Sequence, residues 1–175
     1  MPTLLTFPGI GNSGPEHWQS CWERANPDFV RIAQRDWDNP VCSEWTSVLE
    51  STVLRLGPSV VVVAHSLGCL AVAHWATLPH APIRAALLVA VPDPDSAAFP
   101  VEASGFSPLP MQPFSFPSIV VASSDDPYSS PEHAAVCAAA WGSRLVEISA
   151  AGHINAASNL GDWPAGMALL QQLCA

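Results

Sequence analysis

The chain of 175 residues contains no lysine; all six of its basic residues are arginine, set against 15 acidic ones for a formal charge of −9. A surface of that sign is repelled by phosphate backbones and anionic lipid, so neither nucleic acid nor a membrane surface is an expected partner. Charged residues of both signs reach only 12%, while hydrophobic residues make up 49%. That balance suits a packed core and is the reverse of a disordered chain. No run approaches the ~20 apolar residues of a membrane span. The opening MPTLLTFPG lacks a basic n-region, so no signal peptide is expected and a cytoplasmic location is. The five cysteines are odd in number and include no C-x-x-C pair, which argues for reduced, mostly buried thiols. There is no H-x-x-x-H or similar paired-ligand spacing, so no metal is expected. Nor is there an internal repeat or low-complexity linker, and the length suits one domain over residues 1–175.

What is present is an alternation of strand-like and helix-like stretches. Thr3 to Phe7 reads as a short buried strand stopped by Pro8-Gly9-Ile10-Gly11. A helix is expected from Ser13 or Gly14, since Ser13 and Glu16 have capping-box spacing and Pro15 suits the first helical position. Phe29 to Ala33 is a weak strand. A helix from about Ser43 places Trp45, Val48, Leu49, Thr52 and Leu56 on one face and stops at Gly57-Pro58. Ser59 to Ala64 (SVVVVA) is the clearest strand, and its four valines in a row imply cover on both faces. Then follow a helix over Leu67 to Leu78, strands at Ala85–Val91 and Ile119–Ala122, a helix over Pro131–Trp141 and a strand at Arg144–Ile148. A closing helix capped by Asp162 should bury Trp163, Met167, Leu170 and Leu173. The pattern predicts an α/β fold, doubly wound on about six mostly parallel strands. Residues 92–117 break the rhythm with seven prolines and four of the six phenylalanines. They are too short and proline-rich for a helical lid, and read either as an irregular flap or pocket wall or as a connection folding its aromatics under itself.

Chemistry enters at Ala64-His65-Ser66-Leu67-Gly68, between the best strand and a helix. A serine there sits in a sharp strand-to-helix turn at a helix N-terminus, where developing negative charge is favoured. The turn requires small residues two before and two after it. Ala64 departs from the usual G-x-S-x-G but meets the size requirement. The competing role for Ser66 is a plain helix cap. A serine hydroxyl needs a base, and His153 lies in the loop after the last strand, where the order Ser…Asp/Glu…His places it. The other five histidines all have plausible structural roles. Asp126, stiffened by Pro127, is the preferred acid to orient the imidazole. Asp125 is its rival, and Asp93 and Asp95 are weaker candidates better suited to turns. Two backbone N–H groups are needed for an oxyanion, and Leu67 and Ile10 are placed to supply them.

With these residues assigned, the sequence resembles the small serine hydrolases related to retinoblastoma-binding protein 9. The likeness runs through Pro8-Gly9, Glu16-His17-Trp18-Gln19, Asp36-Trp37, the Ser66 turn, Asp126-Pro127-Tyr128, Gly152-His153-Ile154-Asn155 and Gly161-Asp162-Trp163-Pro164-x-Gly166. It implies a minimal three-layer α/β-hydrolase sandwich without a lid domain, a Ser–Asp–His triad with its acid on Asp126, and no cofactor. It implies no particular substrate, and retinoblastoma binding would need a Leu-x-Cys-x-Glu segment that the sequence lacks. His17 and Trp18 either line the substrate entrance or belong to the core, the latter preferred for the tryptophan. Trp163 is assigned to packing. The expected activity is hydrolysis of a small uncharged ester, with an amide as the lesser substrate choice. The competing reading is a binding protein that keeps the fold without turnover.

Overall fold

The computed structural model describes residues 2–175. Six strands, β1 (Leu4–Phe7), β2 (Phe29–Arg31), β3 (Val61–His65), β4 (Ala85–Val89), β5 (Ser118–Ser123) and β6 (Arg144–Ile148), form one sheet in the order β2-β1-β3-β4-β5-β6. Every neighbouring pair is parallel. Five α-helices connect them: α1 (Trp18–Ala25), α2 (Cys42–Leu56), α3 (Leu67–Trp75), α4 (Pro131–Trp141) and α5 (Pro164–Cys174).

The valine run explains the layering. Val62 and Ala64 point into one core with Trp45, Leu49 and Val53 of α2, Leu67 and Leu70 of α3, and Trp141 of α4. Val61 and Val63 point into the other with Trp18 and Trp22 of α1 and Leu170 of α5. Alternate residues of β3 thus face opposite cores, and all four valines are fully buried. No helix among the described residues is long and apolar enough to cross a membrane.

The strand order reverses at β1, which lies between β2 and β3. In an open parallel sheet the crevice beyond the strand C-termini at such a reversal is the natural place for a ligand. Here it brings the turn after β1 beside the turn after β3. The fit is close: a Cβ added at Gly68 would stand 2.5 Å from the Phe7 carbonyl oxygen and 3.0 Å from that of Pro8. The size limit at position 68 therefore comes from the backbone of β1. Ala64, paired with Phe7 across the ladder and fully buried, is accommodated without a glycine.

The second and fourth strands end two residues earlier than expected, at Arg31 and Val89, and three expected helix boundaries shift. The first helix begins at Trp18, and its cap is His17, whose Nδ1 accepts the Gln19 N–H at 3.2 Å. Ser13 instead donates its hydroxyl to the Gln19 side-chain oxygen at 2.6 Å, which ties the loop to the helix and leaves Gly14 to Glu16 as a turn. The last helix is preceded by Trp163 in a left-handed conformation (φ 38°), with Pro164 supplying the first turn and no side-chain cap. Asp162 serves through its carbonyl, which accepts the Trp22 indole N–H. Trp163 and Leu170 are buried, whereas Met167 and Leu173 are only half-buried. The third helix ends at Trp75, and a turn carries the chain on past Leu78.

Residues 92–117 contain no helix, and the segment does both things the sequence suggests. Its first part walls the crevice. Its second part buries Phe106 and Phe116 and stacks Phe114 on Trp141, whose indole N–H donates to the Pro110 carbonyl at 2.8 Å.

Gly68→Ala forces β1 away from α3. The expected result is a loss of about 2 kcal/mol or more in urea unfolding, as for other overpacked sites. Gly57→Ala, where nothing crowds the added carbon but φ is 90°, reports backbone strain alone.

Candidate active site

Ser66 stands between β3 and α3 with φ 53° and ψ −123°, a conformation that costs an L-residue on the order of 1–3 kcal/mol. It occupies the cap position of α3 yet makes no capping hydrogen bond. Its hydroxyl lies 2.7 Å from His153 Nε2 instead. His153 Nδ1 is 2.9 Å from both carboxylate oxygens of Asp126, whose side chain is 2% exposed. Asp126 can only accept here, so Nδ1 carries the proton and Nε2 is free to accept from the serine. Tyr128 donates its backbone N–H to Asp126 and packs its ring edge-on against His153 at 4.6 Å.

The loop bearing His153 is held from several sides. His65 Nε2–H donates to the His153 carbonyl at 3.0 Å, and the Trp18 indole N–H to that of Ile154 at 2.8 Å. From the end of β5, Ser123 Oγ accepts the Ala151 N–H, Ser124 Oγ that of Ala150, and Asp125 Oδ1 that of Gly152. Asp125, the rival acid, thus faces the backbone of the histidine loop rather than the imidazole. The Gly152 N–H and the Ser123 hydroxyl hold its carboxyl below the usual range. Asp93 accepts the Asp95 N–H in a turn and lies 3.9 Å from His133 Nδ1, while Asp95 accepts the hydroxyl of Ser107 from across the same segment.

The loop after β1 faces Ser66 from the other side. A Cβ at Gly9 would lie 3.0 Å from Ser66 Cβ and 3.2 Å from the Leu67 nitrogen, so glycine is needed for the approach. Gly11 and Asn12 follow with positive φ. Arg31 fixes them by donating to the Asn12 side chain at 3.0 Å and the Ser13 carbonyl at 2.8 Å. Among the described residues, the N–H groups of Ile10 and Leu67 meet no acceptor, and both residues line the same cleft.

That cleft has a volume of about 550 Å³. Gly9, Ile10, His17, Ser66 and His153 surround its reactive end; Pro92, Phe99, Pro100, Tyr128 and Ala156 form its walls. No arginine, aspartate or glutamate lines it. Burial raises the Cys42 and Cys137 thiols to about 12, so neither is a thiolate nucleophile at neutral pH.

The other histidines separate in the structure. His74 bonds the Phe106 carbonyl, His80 that of Ala81 and His133 that of Pro92. His65, fixed in the turn by position, also supports the His153 loop, a role invisible in sequence because its partner is a carbonyl 88 residues away. Trp18 is core, as preferred, but also binds that loop. His17 lines the cleft.

Burial, then Arg31 and His153, lowers the His17 pKa to about 4, and burial, His17 and His153 push His65 well below its ordinary 6.5. Below about pH 6.5 the unfolded chain binds protons that the folded protein refuses. Stability should therefore fall on acidification by about 1 kcal/mol per pH unit for each histidine, from pH 6.5 down toward 4 for His17. Urea unfolding at intervals from pH 7 to 5 measures the slope, and His17→Gln removes its share.

The serine hydrolase family profile matches residues 4–172. A YdeN-like hydrolase from Pectobacterium atrosepticum superposes with a TM-score of 0.86 at 32% identity, over 98% of this chain and 90% of that one. The YdeN protein of Bacillus subtilis superposes at 0.76 with 18% identity, over 99% and 98%. An esterase domain from Rhodothermus marinus superposes at 0.70 with 16% identity, over 97% and 85%. No curated protein matches the sequence. The fold is that of the α/β hydrolases, in a minimal form without a lid. The profile spans nearly every described residue and the Pectobacterium structure is 32% identical over almost the whole chain, so the protein belongs to the serine hydrolase family.

Proposed function

We propose that the protein is a carboxylesterase for small uncharged esters that works through Ser66, His153 and Asp126. The observation that carries this reading is the unbroken hydrogen-bonded line from Ser66 Oγ through His153 to Asp126, closed at 2.7 and 2.9 Å. A line of this kind lets imidazole take the hydroxyl proton as the oxygen attacks a carbonyl carbon.

In the first step Ser66 Oγ bonds to the ester carbon, its proton passes to His153 Nε2, and the carbonyl electron pair moves onto oxygen. The resulting oxyanion lies between the N–H groups of Ile10 and Leu67, at the N-terminus of α3. Asp126 steadies the imidazolium through Nδ1. Collapse expels the alcohol, which takes the proton from Nε2. Water then attacks the acyl-serine by the same path and releases the acid. The walls are mostly apolar, and no arginine, aspartate or glutamate lines the cleft, which favours neutral substrates. The esterase domain of the same fold is consistent with ester chemistry.

A fluorophosphonate probe should label the wild type and leave Ser66→Ala unlabelled, with p-nitrophenyl butyrate hydrolysis falling at least about 10³-fold in that variant. Labelling that survives the substitution overturns the assignment. Asp126→Asn should lower kcat by about 10³–10⁴-fold. Asp125→Asn keeps a side-chain acceptor for Gly152 and should cost no more than about tenfold; the reverse ranking would make Asp125 the acid.

A further inference from the structure

Among the residues lining the cleft, His17 carries a buried polar side-chain atom that has no partner and no part in the mechanism. The residue is 4% exposed, and its Nε2 has no hydrogen-bond partner. The two ring nitrogens are distinguished by the helix cap. Nδ1 accepts the Gln19 N–H, so in the neutral ring it carries no proton. Nε2 is therefore the N–H nitrogen, a buried donor without an acceptor. Resting on the hydrolase reading above, we propose that His17 Nε2–H donates to an uncharged oxygen or nitrogen acceptor on the substrate, elsewhere than the scissile carbonyl. The preferred substrates then carry such an acceptor, as alkoxy, hydroxy or oxo esters do, over plain hydrocarbon esters.

Three observations support this. Buried donors in folded proteins are satisfied almost without exception, by protein groups or ordered water, so an unpartnered one on a residue that lines the cleft points to a partner taken up there. Burial, with Arg31 and His153 adding to it, keeps the ring neutral at physiological pH, so the group acts as a directional donor rather than a cation. A neutral ring lacks the net attraction for anions that an imidazolium would have, and no arginine lines the cleft to supply it. The His17 ring packs edge-on against His65 at 4.6 Å and tilted against Trp18 at 5.2 Å. A donor held this way discriminates strongly, because a ligand lacking the acceptor leaves it buried and unpaired.

The test compares p-nitrophenyl hexanoate with analogues in which an ether oxygen replaces one chain methylene at successive positions. A second set makes the same replacement in the alcohol of alkyl hexanoates. For each pair the ratio of kcat/KM, ether over hydrocarbon, is taken in wild type, His17→Phe and His17→Gln. Comparing ratios between proteins cancels the intrinsic reactivity of the esters. At one position or more, the wild-type ratio should fall about tenfold in His17→Phe, which keeps the bulk and loses the donor. It should stay within about threefold in His17→Gln, which keeps an N–H at similar reach. Ratios unchanged in His17→Phe at every position overturn the proposal.

Fluorophosphonate labelling of the wild type separates the two levels. A labelled, active enzyme with unchanged ratios loses this inference alone, whereas an unlabelled and inactive protein loses the hydrolase reading and this inference with it. Ring ¹⁵N spectra of the wild type need no variant. The Nε2–H signal of His17 should move downfield with an ether-bearing alkyl boronic acid more than with its hydrocarbon counterpart, and equal shifts across the series count against the proposal.

Discussion

The end of β1 and the first turn of α3 meet backbone to backbone. Gly68 lies against the carbonyls of Phe7 and Pro8, and Gly9 against the Cβ of Ser66. Neither contact involves a side chain that could rotate away, so the distance between the two loops is set by covalent geometry. The unfavourable φ of Ser66 persists because both of its flanks are fixed in this way. The same approach brings Ile10 and Leu67 to one end of the cleft. In the proposed mechanism their N–H groups are then in place before any charge develops, which makes electrostatic stabilisation effective.

The histidine side of the site is built on a different principle. Its loop has little regular structure, and a network of side-chain hydrogen bonds holds it instead. Ser123, Ser124 and Asp125 grip the backbone of residues 150–152 from the end of β5, and the next residue, Asp126, grips the imidazole. His65 and Trp18 close the loop from beneath. Acid and base loop are thereby joined to a single strand end. One half of the site is positioned by close packing and the other by hydrogen bonds, and both converge on Ser66.

Much of this was legible in the sequence because it follows from periodicity. The run of four valines marks a doubly covered central strand, and the loops after successive strands of a parallel sheet all open on the same edge. Ser66, Asp126 and His153 could thus be placed together although 87 residues separate the first from the last. Boundaries were less legible where a cap is chosen by tertiary contacts. Ser13 has the spacing of a capping residue, but its hydroxyl is taken by Gln19, so the helix starts later, on His17. Asp162 lost its expected role because Trp163 adopts a left-handed turn that Pro164 continues as helix. The support from His65 and Trp18 had no sequence signal, since their partners are main-chain carbonyls and carry no side-chain identity.

The segment after β4 bears on how this architecture can change. Between the wall residues Phe99 and Pro100 and the buried Phe106, the chain surfaces at Val101, which is 92% exposed. On one side the segment belongs to the cleft, and on the other it is anchored in the core behind α2. Extra chain inserted at that crest would lengthen the wall over the cleft while leaving both anchors, the sheet and the three hydrogen-bonded side chains undisturbed. Reactive machinery and ligand-facing wall are in this sense separable modules. New preferences can be acquired at the crest without renegotiating the fit between β1 and α3.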